Sequence, residues 1–179
     1  MDNGLIPHRY AMALYKFALE HGTTQAVYDE MKTVNASFQA NDRLAKVLAN
    51  PFVGREEKFD LLKAAAGDKV ENDYLGFAKL ILDNRREEYA RQMALAYCDI
   101  YRKANNIARV KITTAANLPE NEMERLRELV KKAFPQTTLE FSEQINPDII
   151  GGFVIDVDDT RMDASISNEL EQLRLKLIQ

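Results

Sequence analysis

The stretch RKANNIARVKITT, residues 102–114, decides the fold of this chain because the spacing of the apolar residues changes there. Before Lys103 apolar residues return every three or four positions, which is the period of an amphipathic helix. From Ile107 onward apolar and polar residues alternate, which is the period of a half-buried strand. The change predicts two domains, a helical one over residues 1–105 and a mixed one over residues 106–179.

The first domain is predicted to be a six-helix bundle. Short breaks rich in Gly, Asn and Pro separate its periodic segments, and short loops between helices are typical of bundles. Asn41 or Asp42 suits the N-cap of the third helix. Pro51 ends that helix, because the residue before a proline avoids the helical region. The predicted helices cover residues 7–20, 24–38, 42–48, 55–65, 71–82 and 86–103.

The second domain is predicted to be a small α+β unit with the order strand-helix-strand-strand-helix. Two of its segments alternate apolar and polar residues, and a third is a short run rich in β-branched residues. Between the first two strands, and again near residue 178, apolar residues recur at helical spacing. The predicted strands cover residues 107–114, 138–145 and 152–157, and the predicted helices cover residues 119–134 and 163–178. The fold class of the whole chain is therefore α+β.

Composition and charge exclude several classes of partner. The chain has a net charge of −4, and residues 105–179 hold 9 Lys or Arg against 13 Asp or Glu. Nucleic acid is not an expected partner, since phosphate binding needs a basic surface. No apolar run approaches the roughly 20 residues of a membrane span, so direct membrane insertion is not expected. The first residues resemble neither a signal peptide nor a transit peptide, and a single cysteine, Cys98, fits a reducing compartment. We therefore expect a bacterial-type cytoplasm.

Two helices of the predicted bundle are more apolar than a surface helix needs to be. At about 100° per residue, apolar side chains cover roughly 260° around the first helix and roughly 220° around the fifth, whereas a surface helix typically has an apolar stripe of about 100°. Either both helices lie at the centre of the bundle, or one flank of each stays open for a partner's amphipathic helix. Small residues at the edges of the two arcs, Ala13 and Gly76, would let a guest backbone approach closely. Periodicity alone does not choose between these alternatives.

No catalytic residue, metal ligand or cofactor site is predicted. His8 and His21 are thirteen positions apart, too far for a pair of ligands on one helix, and Cys98 has no base near it in the sequence. The sequence contains neither a phosphate-binding glycine motif nor a nucleophile elbow. The acidic residues from Asp156 to Asp163 lack the central Gly and the distal Glu of a calcium loop, and they suit a turn and a helix N-cap better.

Four segments, in the same order and at similar distances, resemble the ATP synthase delta subunit family, whose mitochondrial member is the oligomycin-sensitivity-conferring protein. The first is the opening helix, with Arg9-Tyr10-Ala11 ahead of Ala13, Leu14 and Ala18. The second is FAKLILDNRR (77–86) with Tyr89 and Tyr97, and the third is VKITTA (110–115) with Leu118. The fourth and most specific is NPDIIGGFVI (146–155), followed by Asp159, Asp163, Ser165, Leu170 and Leu173. The chain departs from the family pattern at Asp158 and Ala164, where glycines are usual, so the turn nearby is expected to differ locally.

The resemblance implies a non-catalytic stator subunit of a rotary F-type ATP synthase, joining the catalytic head to the peripheral stalk and resisting rotor torque during proton-driven ATP synthesis. Domain 1–105 would bind the N-terminal helix of an alpha subunit between the first and fifth helices, and domain 106–179 would bind the C-terminal end of the b subunit. The chain would be peripheral, on the cytoplasmic face of the bacterial inner membrane. The residues expected to contact the alpha subunit are Tyr10, Ala13, Leu14, Phe17, Phe77 and Leu80, and those expected to contact the b subunit are Leu170, Leu173 and Leu177. The alternative is an unrelated soluble scaffold that binds helices.

Overall fold

The chain forms two compact units, which divide between Ala104 and Asn105. The computed structural model describes residues 4–67 and 69–178, without the side chains of residues 177 and 178. In this part of the chain the first unit is helical, and the second combines two helices with a four-stranded sheet. The predicted α+β fold class is confirmed.

Six α-helices form the described part of the N-terminal unit, and they correspond to the six predicted ones. Most of their ends lie within two residues of the predicted ends. The sixth helix begins at Ala90 rather than near residue 86, because Glu87–Tyr89 first form a 3₁₀ turn. The helices are α1 (Leu5–His21), α2 (Thr24–Ala40), α3 (Asp42–Ala49), α4 (Arg55–Ala66), α5 (Asn72–Asp83) and α6 (Ala90–Ala104).

Local side-chain chemistry sets the ends of these helices. The Asn41 side chain accepts the N–H of Arg43 at 3.1 Å and so caps the start of α3. Asn50 is extended ahead of Pro51, which ends α3. Gly22 ends α1 in the left-handed region, with φ of 72°.

The core of the bundle forms where α6 packs along α1 and α2. Its largest fully buried side chains include Tyr28 and Met31 from α2 and Met93 and Tyr97 from α6. The Tyr97 hydroxyl donates to the carbonyl of Thr24 at 3.2 Å, so its polar end has a partner. Burial raises the pKa of the Tyr97 phenol well above its ordinary value.

The C-terminal unit combines a mixed four-stranded sheet with two helices. The elements are β1 (Ile107–Thr114), α7 (Glu120–Ala133), β2 (Thr138–Ile145), a 3₁₀ turn (Pro147–Ile149), β3 (Gly152–Val157), β4 (Thr160–Ser165) and α8 (Ile166–Ile178). The strand order is β2-β1-β3-β4, with β1 parallel to β2 and the other pairs antiparallel. The alternating residues Ala108, Val110 and Ile112 form a core with Met123 and Val130 of α7.

The fourth strand was not predicted, and the prediction that the last helix begins near residue 163 is wrong. Asp158 has φ of +45°, a conformation that Asp tolerates better than most residues, and the chain turns back there to form β4. Asp163 lies in β4, where it accepts both the N–H and the hydroxyl of Ser165, at 3.1 and 2.6 Å. The hydroxyl of Ser165 in turn accepts the N–H of Asn168 at 3.2 Å, so α8 begins at Ile166.

Gly152 is required by backbone geometry at the start of β3. Its φ is +73°, and a Cβ built there would overlap the carbonyl oxygen of Ala164.

We predict that Gly152→Ala destabilises the C-terminal unit by about 2 kcal/mol or more, because backbone strain and steric overlap act together. Hydrogen exchange of the β3 and β4 amides measures the loss. Gly151→Ala is the matched control: its Cβ would meet only side-chain atoms of Ile166, Cδ1 at 2.7 Å and Cγ1 at 3.4 Å, so a smaller effect is expected. Equal protection in the Gly152→Ala variant and the wild type would refute the requirement.

Glu30 is a buried carboxyl that ties α2 to the start of α5. One oxygen accepts the N–H of Glu71, whereas Oε2 has no partner among the described residues. Burial raises the pKa of Glu30, and the nearby charges of Glu71 and Asp73 raise it further, although the hydrogen bond from Glu71 opposes the shift. The folded state therefore holds the Glu30 proton to higher pH than the unfolded state does. The resulting stability is present below the unfolded pKa of about 4.5 and is lost as the pH rises through the higher folded pKa.

We predict that Glu30→Gln raises the melting temperature at pH 8, since it removes the buried charge and keeps an acceptor for the Glu71 N–H. The gain should vanish near pH 4, where Glu30 is protonated in both states. Thermal unfolding at the two pH values measures it. Glu30→Leu, which also removes the acceptor, should lack the gain. A wild-type chain that is as stable as Glu30→Gln at pH 8 would contradict this account.

Candidate functional site

An open apolar groove runs between α1 and α5. Its volume is about 370 Å³. All six residues predicted to contact an alpha subunit line it, together with two more from α5. The lining residues are Tyr10, Ala13, Leu14 and Phe17 from α1, and Asp73, Gly76, Phe77 and Leu80 from α5.

Helical spacing explains why these side chains meet. On each helix the lining residues lie three, four and seven positions after the first one, so all four share one face of the helix. Leu14 and Phe77 are buried, whereas Phe17 and Leu80 are each 47% exposed. Ala13 and Gly76 are exposed and small, and a Cβ built on Gly76 would meet nothing within 4 Å. The groove therefore has an apolar floor, apolar walls and room for another backbone.

The wide apolar arc of α1 divides into a covered side and an open side. Ala11 and Ala18 are fully buried, and Tyr15 makes an edge contact with the Tyr97 ring at 6.0 Å between centroids. The bundle thus covers part of the arc, and the groove side remains open at Phe17. Of the two interpretations left by the sequence, an open flank agrees with this geometry.

One end of the groove is polar, a feature that the apolar pattern of the sequence does not predict. Asp73 is buried, and its carboxylate binds the side chains of His21, at 2.9 Å, and Thr23. The Phe17 and His21 rings make a T-shaped contact, with 4.3 Å between ring centroids. The spacing of Asp73 from Gly76 and Leu80 was the available signal, because it places this carboxylate on the same face of α5 as the groove residues.

Helix α8 presents a second apolar surface. Leu170 and Leu173 are each more than half exposed, and Ile166 at the start of the same stripe is also exposed. The described contacts of α8 are mainly with β4 and the Pro147–Ile149 turn. The side chain of Leu177, the third residue predicted to contact the b subunit, lies outside the described residues.

The acidic cluster near the β3–β4 turn is engaged in ion pairs and hydrogen bonds. Asp156 lies 3.8 Å from both Lys111 and Arg161, and Asp158 accepts the N–H of Arg109 at 3.1 Å. Within residues 4–67 and 69–178 no group of three or more His, Cys, Asp or Glu side chains is placed to hold a metal ion. In the same described part of the chain, no helix has both the length and the apolar character to cross a membrane.

Comparison with known proteins identifies the relatives of this chain. The model of the ATP synthase delta (OSCP) subunit family matches residues 6–177. ATP synthase subunit delta of Phocaeicola vulgatus is 37% identical, over 98% of this chain and 95% of the relative. ATP synthase subunit delta of Bacteroides fragilis is 37% identical, over 99% of this chain and 96% of the relative. The subunit of Desulforamulus reducens is 33% identical, over 99% of this chain and 98% of the relative.

A solved structure has the same fold at low sequence identity. A chain in the cryo-EM structure of the Toxoplasma gondii mitochondrial ATP synthase hexamer superposes with a TM-score of 0.76. The superposition covers 97% of each chain, and the sequences are 18% identical. At this identity the likeness establishes the fold alone.

Proposed function

The chain belongs to the ATP synthase delta (OSCP) subunit family, and on that premise we propose that it is the connector between the catalytic head and the peripheral stalk of a bacterial F-type ATP synthase. In this proposal it is a non-catalytic stator subunit, peripheral to the cytoplasmic face of the inner membrane. It binds the N-terminal helix of an alpha subunit through its N-terminal unit and the C-terminal end of the b subunit through its C-terminal unit.

The observation that carries the proposal is the open groove between α1 and α5. Its lining spans eight positions on each helix, or about two helical turns at roughly 3.6 residues per turn. Packed helices lie about 8–10 Å apart, depending on the side chains at the crossing, and Ala13 and Gly76 supply small residues on both walls. An amphipathic guest helix would cover Phe17 and Leu80 with its apolar stripe, as helix-binding grooves do.

The second contact is proposed on α8. Its exposed stripe at Leu170 and Leu173 recurs at helical spacing, so it suits pairing with another amphipathic helix. Leu177 continues the same period in the sequence. This surface belongs to the C-terminal unit, whereas the groove belongs to the N-terminal one. Each unit then holds one partner.

Two modest contacts in one chain suit the proposed mechanical role. A single docked helix makes a small interface by the standards of stable complexes. Joining two such contacts makes the second binding event intramolecular, so the assembled tether releases more slowly than either contact alone. The proposed function is to keep the head from rotating with the rotor, while the chemistry of ATP synthesis stays in other subunits.

We predict that Ala13→Asp and Leu80→Asp leave the bundle folded but weaken binding of the alpha-subunit N-terminal helix by about 2 kcal/mol or more. The reason is that a docked helix would enclose the new carboxylate without a partner charge. Circular dichroism checks the fold, and titration calorimetry with a peptide from the N-terminus of the alpha subunit measures the affinity.

Leu19→Asp is the matched control for the groove variants. Leu19 is also an apolar residue of α1, with 60% exposure, but it lies about 200° around the helix from Phe17. Its variant should bind the peptide with wild-type affinity. Wild-type affinity in Ala13→Asp and Leu80→Asp would remove the groove from the proposal, as would an equal loss in all three variants.

We predict that Leu173→Asp in the full chain weakens binding of the C-terminal segment of the b subunit and leaves binding of the alpha-subunit peptide unchanged. A buried, unpaired carboxylate on the α8 stripe would again oppose docking. Co-sedimentation with each partner separates the two contacts. If Leu173→Asp releases the alpha-subunit peptide, or if it retains the b subunit at full strength, the assignment of one partner to each unit fails.

A further inference from the structure

A strained turn carries an exposed isoleucine just before the paired glycines. Ile150 has φ of +67° and ψ of −44°, and the N–H of Gly151 donates to the carbonyl of Ile149 at 2.8 Å. This is a three-residue γ-turn with a positive central φ, the rarer and more strained of its two forms. A β-branched residue in this conformation is an outlier even among residues with positive φ.

Contacts on both sides hold the backbone in this turn. Before it, the Asn146 side chain accepts the N–H of Asp148 at 3.1 Å, which fixes the 3₁₀ turn. After it, the Gly151 carbonyl accepts the N–H of Ile166 at 3.1 Å, the first residue of α8. The surrounding structure therefore determines the conformation of residue 150, and the Ile side chain does not.

The Ile150 side chain makes little contribution to the interior. It is 63% exposed, whereas its neighbour Ile149 is buried. Glycine would adopt the same φ without strain, and glycines already occupy the next two positions. A strained β-branched side chain that is directed to solvent suggests a role outside the folded unit, since strain of this kind persists where function requires it.

The apolar stripe of α8 begins beside this turn. The Cδ1 of Ile166 occupies the space where a Gly151 Cβ would lie, 2.7 Å from that position, so the first turn of α8 packs on the residue that follows Ile150. Ile166 is exposed, and Leu170 and Leu173 continue the stripe along α8. Ile150 therefore immediately precedes the residue on which this stripe begins, and Ile150, Ile166, Leu170 and Leu173 are together called the Ile150–α8 surface here.

Charges around the Ile150–α8 surface differ between its two ends. Asp148 and Glu169 are exposed near the Ile150 end, whereas the C-terminal half of α8 exposes Arg174, which lies 3.8 Å from Glu171, and Lys176. A partner helix fits this arrangement if basic residues flank its apolar stripe at one end and acidic residues flank it at the other. This charge pattern favours one direction of a docked partner helix over the other.

We infer that Ile150 is an anchor residue of the stalk contact: its side chain inserts into the apolar stripe of the b-subunit helix that docks on α8. The inference rests on the proposed function, because it assumes that the b subunit is the partner of α8. It adds a specificity residue that lies outside the helix and whose backbone strain is retained for binding.

Ile150→Gly and Ile150→Ala in the full chain test the inference against the C-terminal segment of the b subunit from the same complex. Both variants should weaken binding about tenfold or more, because each removes an apolar side chain that docking would bury. Only Ile150→Gly relieves the strain, so hydrogen exchange of the β3 amides and of the first turn of α8 should show protection equal to or above that of the wild type. Leu129→Ala, on the exposed side of α7, is the control that should bind normally.

The outcomes distinguish a failure of the Ile150 anchor from a failure of the proposed stalk contact on which it rests. If the wild-type chain does not bind the b segment, the stalk contact and the anchor fail together. If the wild type binds and Ile150→Gly binds equally well, only the anchor fails. If Ile150→Gly loses protection along with affinity, the side chain has a structural role and the inference is wrong.

Discussion

Helix α1 carries two apolar surfaces, one packed against the bundle and one facing the groove, and the rest of the N-terminal unit is arranged around that constraint. Its inner side is built from small residues such as Ala11 and Ala18, so α6 can pack closely against it. Its outer side carries Phe17 and leaves it half exposed beside Leu80 of α5. Closing the bundle over both sides would remove the groove, whereas leaving the groove open keeps apolar area in water at a cost to stability. That cost is reasonable where a partner helix completes the surface.

The C-terminal unit meets a different constraint, which is the precise joining of β3, β4 and α8. Gly152 lets the backbone approach Ala164, and the absence of a side chain on Gly151 admits Ile166. Asp163 and Ser165 then set the start of α8 through hydrogen bonds. The rigid join fixes where the exposed stripe of α8 begins and holds Ile150 in its strained turn.

The sequence predicted what periodicity encodes and missed what depends on single backbone angles. Strands β1, β2 and β3 have the predicted limits, because alternation and β-branched runs specify them directly. Strand β4 is not predicted because it follows a turn that depends on a left-handed Asp158, and the alternation of its apolar and polar residues is weak.

Asp73 is not predicted because an apolar pattern gives no weight to a carboxylate on the same face of the helix. The strain at Ile150 has no signature in residue type, since Ile normally avoids positive φ. The apolar arcs together with the family resemblance predict the six groove residues, and all six line one groove in the structure.

The most direct test of the account is an NMR titration of the full chain with the N-terminal segment of the alpha subunit, following amide shifts residue by residue. The account predicts saturable shifts concentrated on α1 and α5, largest around Ala13, Gly76 and Leu80, with α8 unaffected. Saturable binding with shifts elsewhere and none along the groove would contradict it, and so would the absence of any shift at millimolar peptide.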